Sequence, residues 1–335
     1  MFKSVIPNIT KRCLFNNNNK NKNNIDIIEK CIKYYYCTSA FNTTTNARDL
    51  FDITRKQLKQ AKNLDVAYSS MLDSRILFEH VVGLKENARI PKDLQLTPTQ
   101  NKDLQEVIER RLNNEPIAYI VGHKYFWKHK FKCNHSTLIP RPDSETLIEQ
   151  ILELHNYEKQ LPLNILDLGT GTGCLLLSLL EEFSNSKGVG IDQSLDALKV
   201  AKENSISLKM DNRSTFIQSN WVDSIVNQQH NNVPLKYNLI ISNPPYISEN
   251  EYQTLNPTVK QWEPITALVA NDNGLREYDI ISKSIRKHNL LSQDSNTLSN
   301  IPSFLVFEIG HTQEESVKKL VVDNGFEFNY KITCI

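Results

Sequence analysis

Asn243-Pro244-Pro245-Tyr246 is the stretch of this chain best suited to chemistry. Its two prolines remove two backbone donors and hold φ at about −65°, so carbonyl oxygens meet a ligand without competing N–H groups. The Asn243 side chain adds an acceptor, and Tyr246 adds a flat face for stacking. Such a set grips a planar amide or amino group by its two hydrogens and leaves the nitrogen lone pair aimed at an electrophile. Four residues alone fit a rigid proline turn equally well.

The neighbouring elements decide what those residues are held against. The apolar run Tyr237–Ser242 predicts a buried parallel strand leading into Asn243. Upstream, Asn164–Leu168 predicts a strand, Gly169-Thr170-Gly171-Thr172-Gly173 a tight turn, and Cys174–Leu180 an apolar helix. The dinucleotide fingerprint needs a third glycine where Cys174 or Leu176 stands, so a pyrophosphate cradle is disfavoured. S-adenosylmethionine, which has no phosphate, suits the loop better. A second strand, Gly188–Ile191, ends in Asp192, whose carboxylate would accept from both hydroxyls of a ribose or else cap the next helix. A third, Ser214–Gln218, leads to Asn220 and Trp221, a polar and an aromatic side chain able to bracket an adenine. The order β-α-β-α-β-β puts every one of these groups at a strand's carboxyl end, where open parallel sheets bind ligands.

These motifs resemble the class I S-adenosylmethionine-dependent methyltransferases that carry Asn-Pro-Pro-Tyr and methylate amino or amide nitrogens. Glu115–Gly122, Phe126-Trp127, Thr137–Glu145 and Trp262–Leu268 narrow the resemblance to the HemK/PrmC-type release factor glutamine methyltransferases, over roughly residues 50 to 330. The resemblance implies a Rossmann-like α/β methyltransferase sheet, a small amino-terminal helical domain and a β-hairpin linker. It implies that Gly169, Thr170, Gly171, Thr172 and Gly173 form the S-adenosylmethionine loop, with Asp192 on the ribose, Asn220 at the adenine amino group and Trp221 packed near the adenine. Asn243, Pro244, Pro245 and Tyr246 would bind the substrate, the glutamine of the Gly-Gly-Gln motif in class I peptide chain release factors. Asn243, Pro244 and Tyr246 would carry the chemistry, with Asn243 also bordering the cofactor.

Two departures stand out. Position 220 is Asn where the family usually has Asp, so the adenine contact would lack charge assistance. After Gly325 the chain ends without the family's last antiparallel strand, whether by true absence or by truncation. No general base is evident; Glu308, ending the predicted strand Phe304–Phe307, reads as structural. Two other functions fit parts of the pattern: an adenine-N6 or guanine-N2 methyltransferase, and a catalytically silent S-adenosylmethionine-binding protein.

Composition sets broad bounds. The net charge of +1, from 39 basic and 38 acidic residues, argues against a broad nucleic-acid surface. No apolar run approaches the ~20 residues of a membrane span. Six scattered cysteines show no zinc spacing and suggest reduced thiols in an intracellular protein. Residues 1–45 are asparagine-rich, and Met1 to Ile25 holds Lys3, Lys11, Arg12, Lys20 and Lys22 without an acid. A mitochondrial transit peptide is expected, with a cytoplasmic protein as the alternative. Residues 46–115 predict a substrate-recognition domain with helices over Ala47–Lys62, Ser74–Val82 and Thr97–Leu112. Residues 116–142 predict the hairpin linker, with Tyr125-Phe126-Trp127 packing between domains and Arg141 either contacting substrate or pairing with Asp143 or Glu145. Residues 143–335 are the methyltransferase domain. A monomer is expected, with a release factor as protein partner and neither nucleic acid nor membrane.

Overall fold

Asn46 caps the first helix: its side-chain oxygen accepts from the Arg48 and Asp49 amides. The computed structural model describes residues 46–227, 234–292 and 301–328. The asparagine-rich terminus, most of the polar stretch at 292–303 and residues 329–335, where a last strand was at issue, lie outside them. The chain divides into two units between Asn113 and Asn114.

The first unit contains helices α1 (Ala47–Lys59), α2 (Leu64–Tyr68), α3 (Ser70–Val82) and α4 (Pro98–Leu112). Helix α4 starts where expected, because Thr97 and Gln100 form a capping box ahead of Pro98. The first helix stops three residues early, and the separate turn α2 begins behind a second cap, Asn63. Buried Arg111 of α4 donates to Asp73 of α3 at 2.7 Å, and Ser69 donates to the same carboxylate oxygen at 2.7 Å.

In the second unit, α5 (Ile117–Val121) precedes the hairpin of β1 (His123–Phe126) and β2 (His129–Lys132). Pro116 starts that helix and left-handed Gly122 ends it, so the linker expected as a hairpin carries a helical turn as well. Phe126 is buried in the second unit's own core with Trp127 packed against it, whereas Tyr125 is 51% exposed. His123 and His129 are half-buried.

The rest alternates strand and helix: α6 (Glu145–Leu154), β3 (Asn164–Leu168), α7 (Cys174–Glu182), β4 (Lys187–Asp192), α8 (Leu195–Ser207), β5 (Ser214–Gln218), β6 (Leu239–Ser242), α9 (Arg276–Lys287), β7 (Phe304–Phe307) and α10 (Glu314–Asp323). The five strands form one parallel sheet in the order β5-β4-β3-β6-β7. Side chains alternate between faces as the pleat requires. Ile165, Leu239 and Ile241 join the core with α6 and α7, while Leu166, Leu168 and Ile240 face Ile281 and Ile285 of α9. The chain winds outward from β3 to β5 and returns to β6, so strand order reverses at β3/β6. That is the switch point where such sheets leave a crevice.

Breaking the buried pair in the first unit strands a charge. Arg111→Leu is expected to cost about 3–5 kcal/mol, with most of the loss recovered in Asp73→Leu/Arg111→Leu. Urea denaturation of the full chain checks this; a single variant as stable as wild type contradicts it.

Candidate active site

Each parallel strand delivers its next residue to the same edge of the sheet. Leu168 pairs with Ile191 on one side and Ser242 on the other, and Ser242 pairs with Phe307. The loop Gly169–Gly173, then Asp192, Asn243 and Glu308, therefore follow in register. Over this edge lies a cavity of about 370 Å³, within the range of small-molecule sites.

The glycine loop commits four of its five amides to the protein itself. The Gly169 and Thr170 amides donate to Ile191 O at 2.9 and 2.8 Å, and the Gly173 amide to Thr170 O at 2.7 Å. The Gly171 amide donates to Asp192 Oδ2 at 3.0 Å, while Asp192 Oδ1 accepts from the Ser194 amide at 2.9 Å. An anion would find these four N–H groups committed and a carboxylate beside them. Gly169 and Gly171 have φ of 76° and 53°, a region that side chains with a Cβ resist. A Cβ on Gly169 would also stand 3.7 Å from the Trp221 ring. The helix after Asp192 is capped by Ser194, not by Asp192.

Of the loop, only Gly169 and Gly171 line the cavity, beside Asp192, Asn220, Trp221, Asn243 and Pro245. Thr170 and Thr172 are buried beneath, and Gly173 is the amino-terminal cap residue of α7. Thr170 donates to Asp167 Oδ2 at 2.6 Å, and Thr172 O accepts from Asn204 at 2.9 Å. These three support the loop rather than face the cavity. Trp221 adopts a φ of 48°, and its indole N–H donates to Glu277 at 2.9 Å, which anchors the ring against the loop. Asn220 is exposed at the rim.

Pro244 and Tyr246 stand behind the wall that Asn243 and Pro245 present. Asn243 Nδ2 lies 3.4 Å from Ser144 Oγ, Ser144 donates to Glu308 Oε2, and the Tyr246 hydroxyl reaches Glu308 Oε1 at 3.5 Å. Burial pushes the Tyr246 phenol up to about 12 and holds the Glu308 carboxyl above the usual carboxylate range. From below, Gln313 Nε2 donates to Tyr246 O at 3.0 Å, and its Oε1 accepts from the Gly310 amide at 3.1 Å.

Two of these supports escape a sequence reading. Arg141 pairs with neither Asp143 nor Glu145 but with buried Glu263, which also accepts from the Ile139 amide at 3.1 Å. Glu145 instead accepts from the Trp127 amide at 2.9 Å. The signal for Glu263 was its place in Trp262–Leu268, a stretch already singled out. Gln313 had none. Among the described residues no His/Cys/Asp/Glu cluster is fit for a metal.

Asp167 at the end of β3 is fully buried, with Oδ1 lacking a partner. Burial, then the nearby Asp192, pushes its carboxyl up to about 7, against Thr170's hydrogen bond. The folded protein thus keeps a proton that the unfolded chain releases near 3.8. The stability this confers is whole below that pH and is lost as pH rises toward about 7. Wild type minus Asp167→Asn, measured as unfolding free energy across this range, is expected to fall with rising pH. A flat difference contradicts the assignment.

Two family matches divide the chain much as its units do: PrmC N-terminal domain over residues 49–122 and methyltransferase domain over residues 162–322. The release factor glutamine methyltransferase of Escherichia coli is 35% identical over 264 residues, 78% of this chain and 87% of that protein. The one from Fusobacterium nucleatum is 34% identical over 278 residues, 82% of this chain and 73% of that protein. A bifunctional methyltransferase of Rickettsia bellii is 36% identical over 280 residues, 76% of this chain. The chain spans about half the length of such Rickettsia relatives, 47% and 50% in two of them. The parallel sheet lies within the matched methyltransferase domain and is the class I methyltransferase fold. Carrying both domains and aligning with single-function relatives over most of their length, the chain belongs to the release factor glutamine methyltransferase family.

Proposed function

We propose that this protein transfers a methyl group from S-adenosylmethionine to the side-chain amide nitrogen of the Gly-Gly-Gln glutamine in class I peptide chain release factors. The observation that carries this reading is the placement of Asn243 and Pro245 on one cavity wall with Gly169, Gly171 and Asp192 on another.

The residues fit the cofactor. Four of the five loop amides are committed within the fold and Asp192 adds negative charge, a setting that disfavours a pyrophosphate and accepts a ligand with a cationic sulfonium and ribose hydroxyls. Each Asp192 oxygen keeps a lone pair beyond its backbone bond. When bound, S-adenosylmethionine supplies a methyl carbon activated by its sulfonium.

An amide nitrogen is a poor nucleophile, so orientation must do most of the work. The Asn243 side-chain oxygen on the cavity wall is the acceptor for one of its N–H groups, and the carbonyl of Pro244, set behind that wall, is the acceptor proposed for the other. Holding the nitrogen in line contributes on the order of 7–11 kcal/mol to lowering the barrier. The same acceptors bind more strongly as positive charge grows on nitrogen. The N–C bond forms as the C–S bond breaks, and the proton then leaves to water. No side chain need serve as base. Every residue named in the cavity comes from one chain, so a monomer suffices. A net charge of +1 supports a protein acceptor over nucleic acid. The acid-free basic run before Asp26 supports a mitochondrial destination.

With labelled S-adenosylmethionine and a recombinant release factor, mass spectrometry is expected to find one methyl on the Gly-Gly-Gln glutamine. Asn243→Ala is expected to lower kcat on the order of 10²-fold. An unmodified glutamine, or transfer to DNA or RNA instead, overturns the reading.

A further inference from the structure

An asparagine side chain is useful to an amide substrate in only one of its two orientations. With oxygen toward the cavity it accepts an N–H; with nitrogen there it would oppose one donor with another. Something must fix that sense.

The neighbours of Asn243 come from distant parts of the chain. Ser144 ends the short 3-10 turn Pro142–Ser144, and Glu308 follows β7. Both are buried, at 4% and 8% exposure. Glu308 is held at its backbone: its amide donates to Ser242 O at 3.0 Å, and its carbonyl accepts from the Tyr278 hydroxyl at 3.0 Å. Ser144 has one proton, and it goes to Glu308 Oε2. What remains on Ser144 is lone pairs, which can only accept. Asn243 meets that oxygen with its NH2 group. The Asn243 amide also favours the ionised form of Glu308 directly, as Ser144 and Tyr246 do. Every group behind Asn243 therefore calls for donors, and the side-chain oxygen is left for the cavity.

We propose that Glu308 is a positioning residue that acts through Ser144 to hold the Asn243 amide with its oxygen toward the substrate nitrogen. This rests on the glutamine methyltransferase reading above. Glu308 touches neither substrate nor cofactor and moves no proton in the reaction.

Protonation of Glu308 would reverse the chain. Its own O–H could then donate to Ser144, freeing the serine proton for Asn243 and favouring the opposite amide sense. The groups facing the carboxyl are Ser144 and Asp143 from the turn, Asn243 and Tyr246 after β6, Cys174 at the start of α7 and Tyr278 of α9. Burial and Asp143 raise the proton affinity, and the three donors oppose them. The acid limb of kcat thus belongs above the ordinary carboxylate range.

Glu308→Gln keeps the shape but lets the new amide donate to Ser144, imposing the reversed sense. Ser144→Ala removes the bias without imposing the reverse. With the full chain, S-adenosylmethionine and a Gly-Gly-Gln release factor, Glu308→Gln is expected to lower kcat on the order of 10²-fold. Ser144→Ala is expected to lower it about tenfold. S-adenosylmethionine affinity by calorimetry and the melting temperature should stay near wild type, and the Glu308 acid limb should vanish in Glu308→Gln. Unchanged kcat in a folded Glu308→Gln overturns the proposal, as does a loss confined to KM. If Glu308→Gln does not fold, Ser144→Ala decides: a fall in kcat with retained cofactor affinity supports the role, and unchanged kcat overturns it. Wild type that leaves the glutamine unmodified fails the methyltransferase reading itself, and the positioning role falls with it.

Discussion

Leu168 lies between Ile191 and Ser242 in the ladder, and Ser242 lies beside Phe307. Those pairings are the constraint on which the site depends. Because the strands are parallel and in register, the residues after them emerge together: the glycine loop, Asp192, Asn243 and Glu308. A slip of one residue would send each strand's side chains to the opposite face. Buried apolar residues on both faces of β3 and β6 make such a slip costly. The hydrophobic pattern therefore aligns the polar groups, although it takes no part in the chemistry.

Given that alignment, the site is rich in acceptors and poor in free donors. Four of the five loop amides are used, Asp192 stands beside them, and Asp167 lies beneath with one oxygen unpartnered. Asn243 and Pro245 face the cavity from the next strand, and neither Pro244 behind them nor Pro245 has a backbone donor. Such a site favours ligands that bring positive charge and N–H groups. Burial makes this electrostatic bias expensive to maintain, as the raised proton affinities of Asp167, Asp192 and Glu308 show. Hydrogen bonds from Thr170, Ser194 and Ser144 offset part of the cost.

What could be seen in the sequence was local. The loop Gly169–Gly173, Asp192 and Asn243–Tyr246 each adjoin a predicted strand, so their place at a strand end follows from the run itself. Thr97 and Gln100 stand three apart and announce α4 the same way. Contacts closed over long stretches of chain left no such trace. Glu263 lies 122 residues from Arg141, Gln313 lies 67 from Tyr246, and Glu308 lies 164 from Ser144. A carboxylate or amide seeking a distant partner has no periodicity. Arg141 was assigned its nearest acids for that reason, and Glu308 gave no hint of its partners. Thr170, Thr172 and Gly173 belong to a ligand loop by sequence, but folding turns them under it.

The central claim is geometric: Asn243 holds an amide nitrogen beside the cofactor's methyl. A structure of the protein with S-adenosylhomocysteine and a Gly-Gly-Gln peptide tests it most directly. The account predicts the glutamine nitrogen within about 2.7–3.2 Å of the Asn243 side-chain oxygen, in the cavity bounded by Gly169 and Asp192. A peptide bound elsewhere, or an Asn243 side chain turned with its nitrogen toward the glutamine, would contradict it.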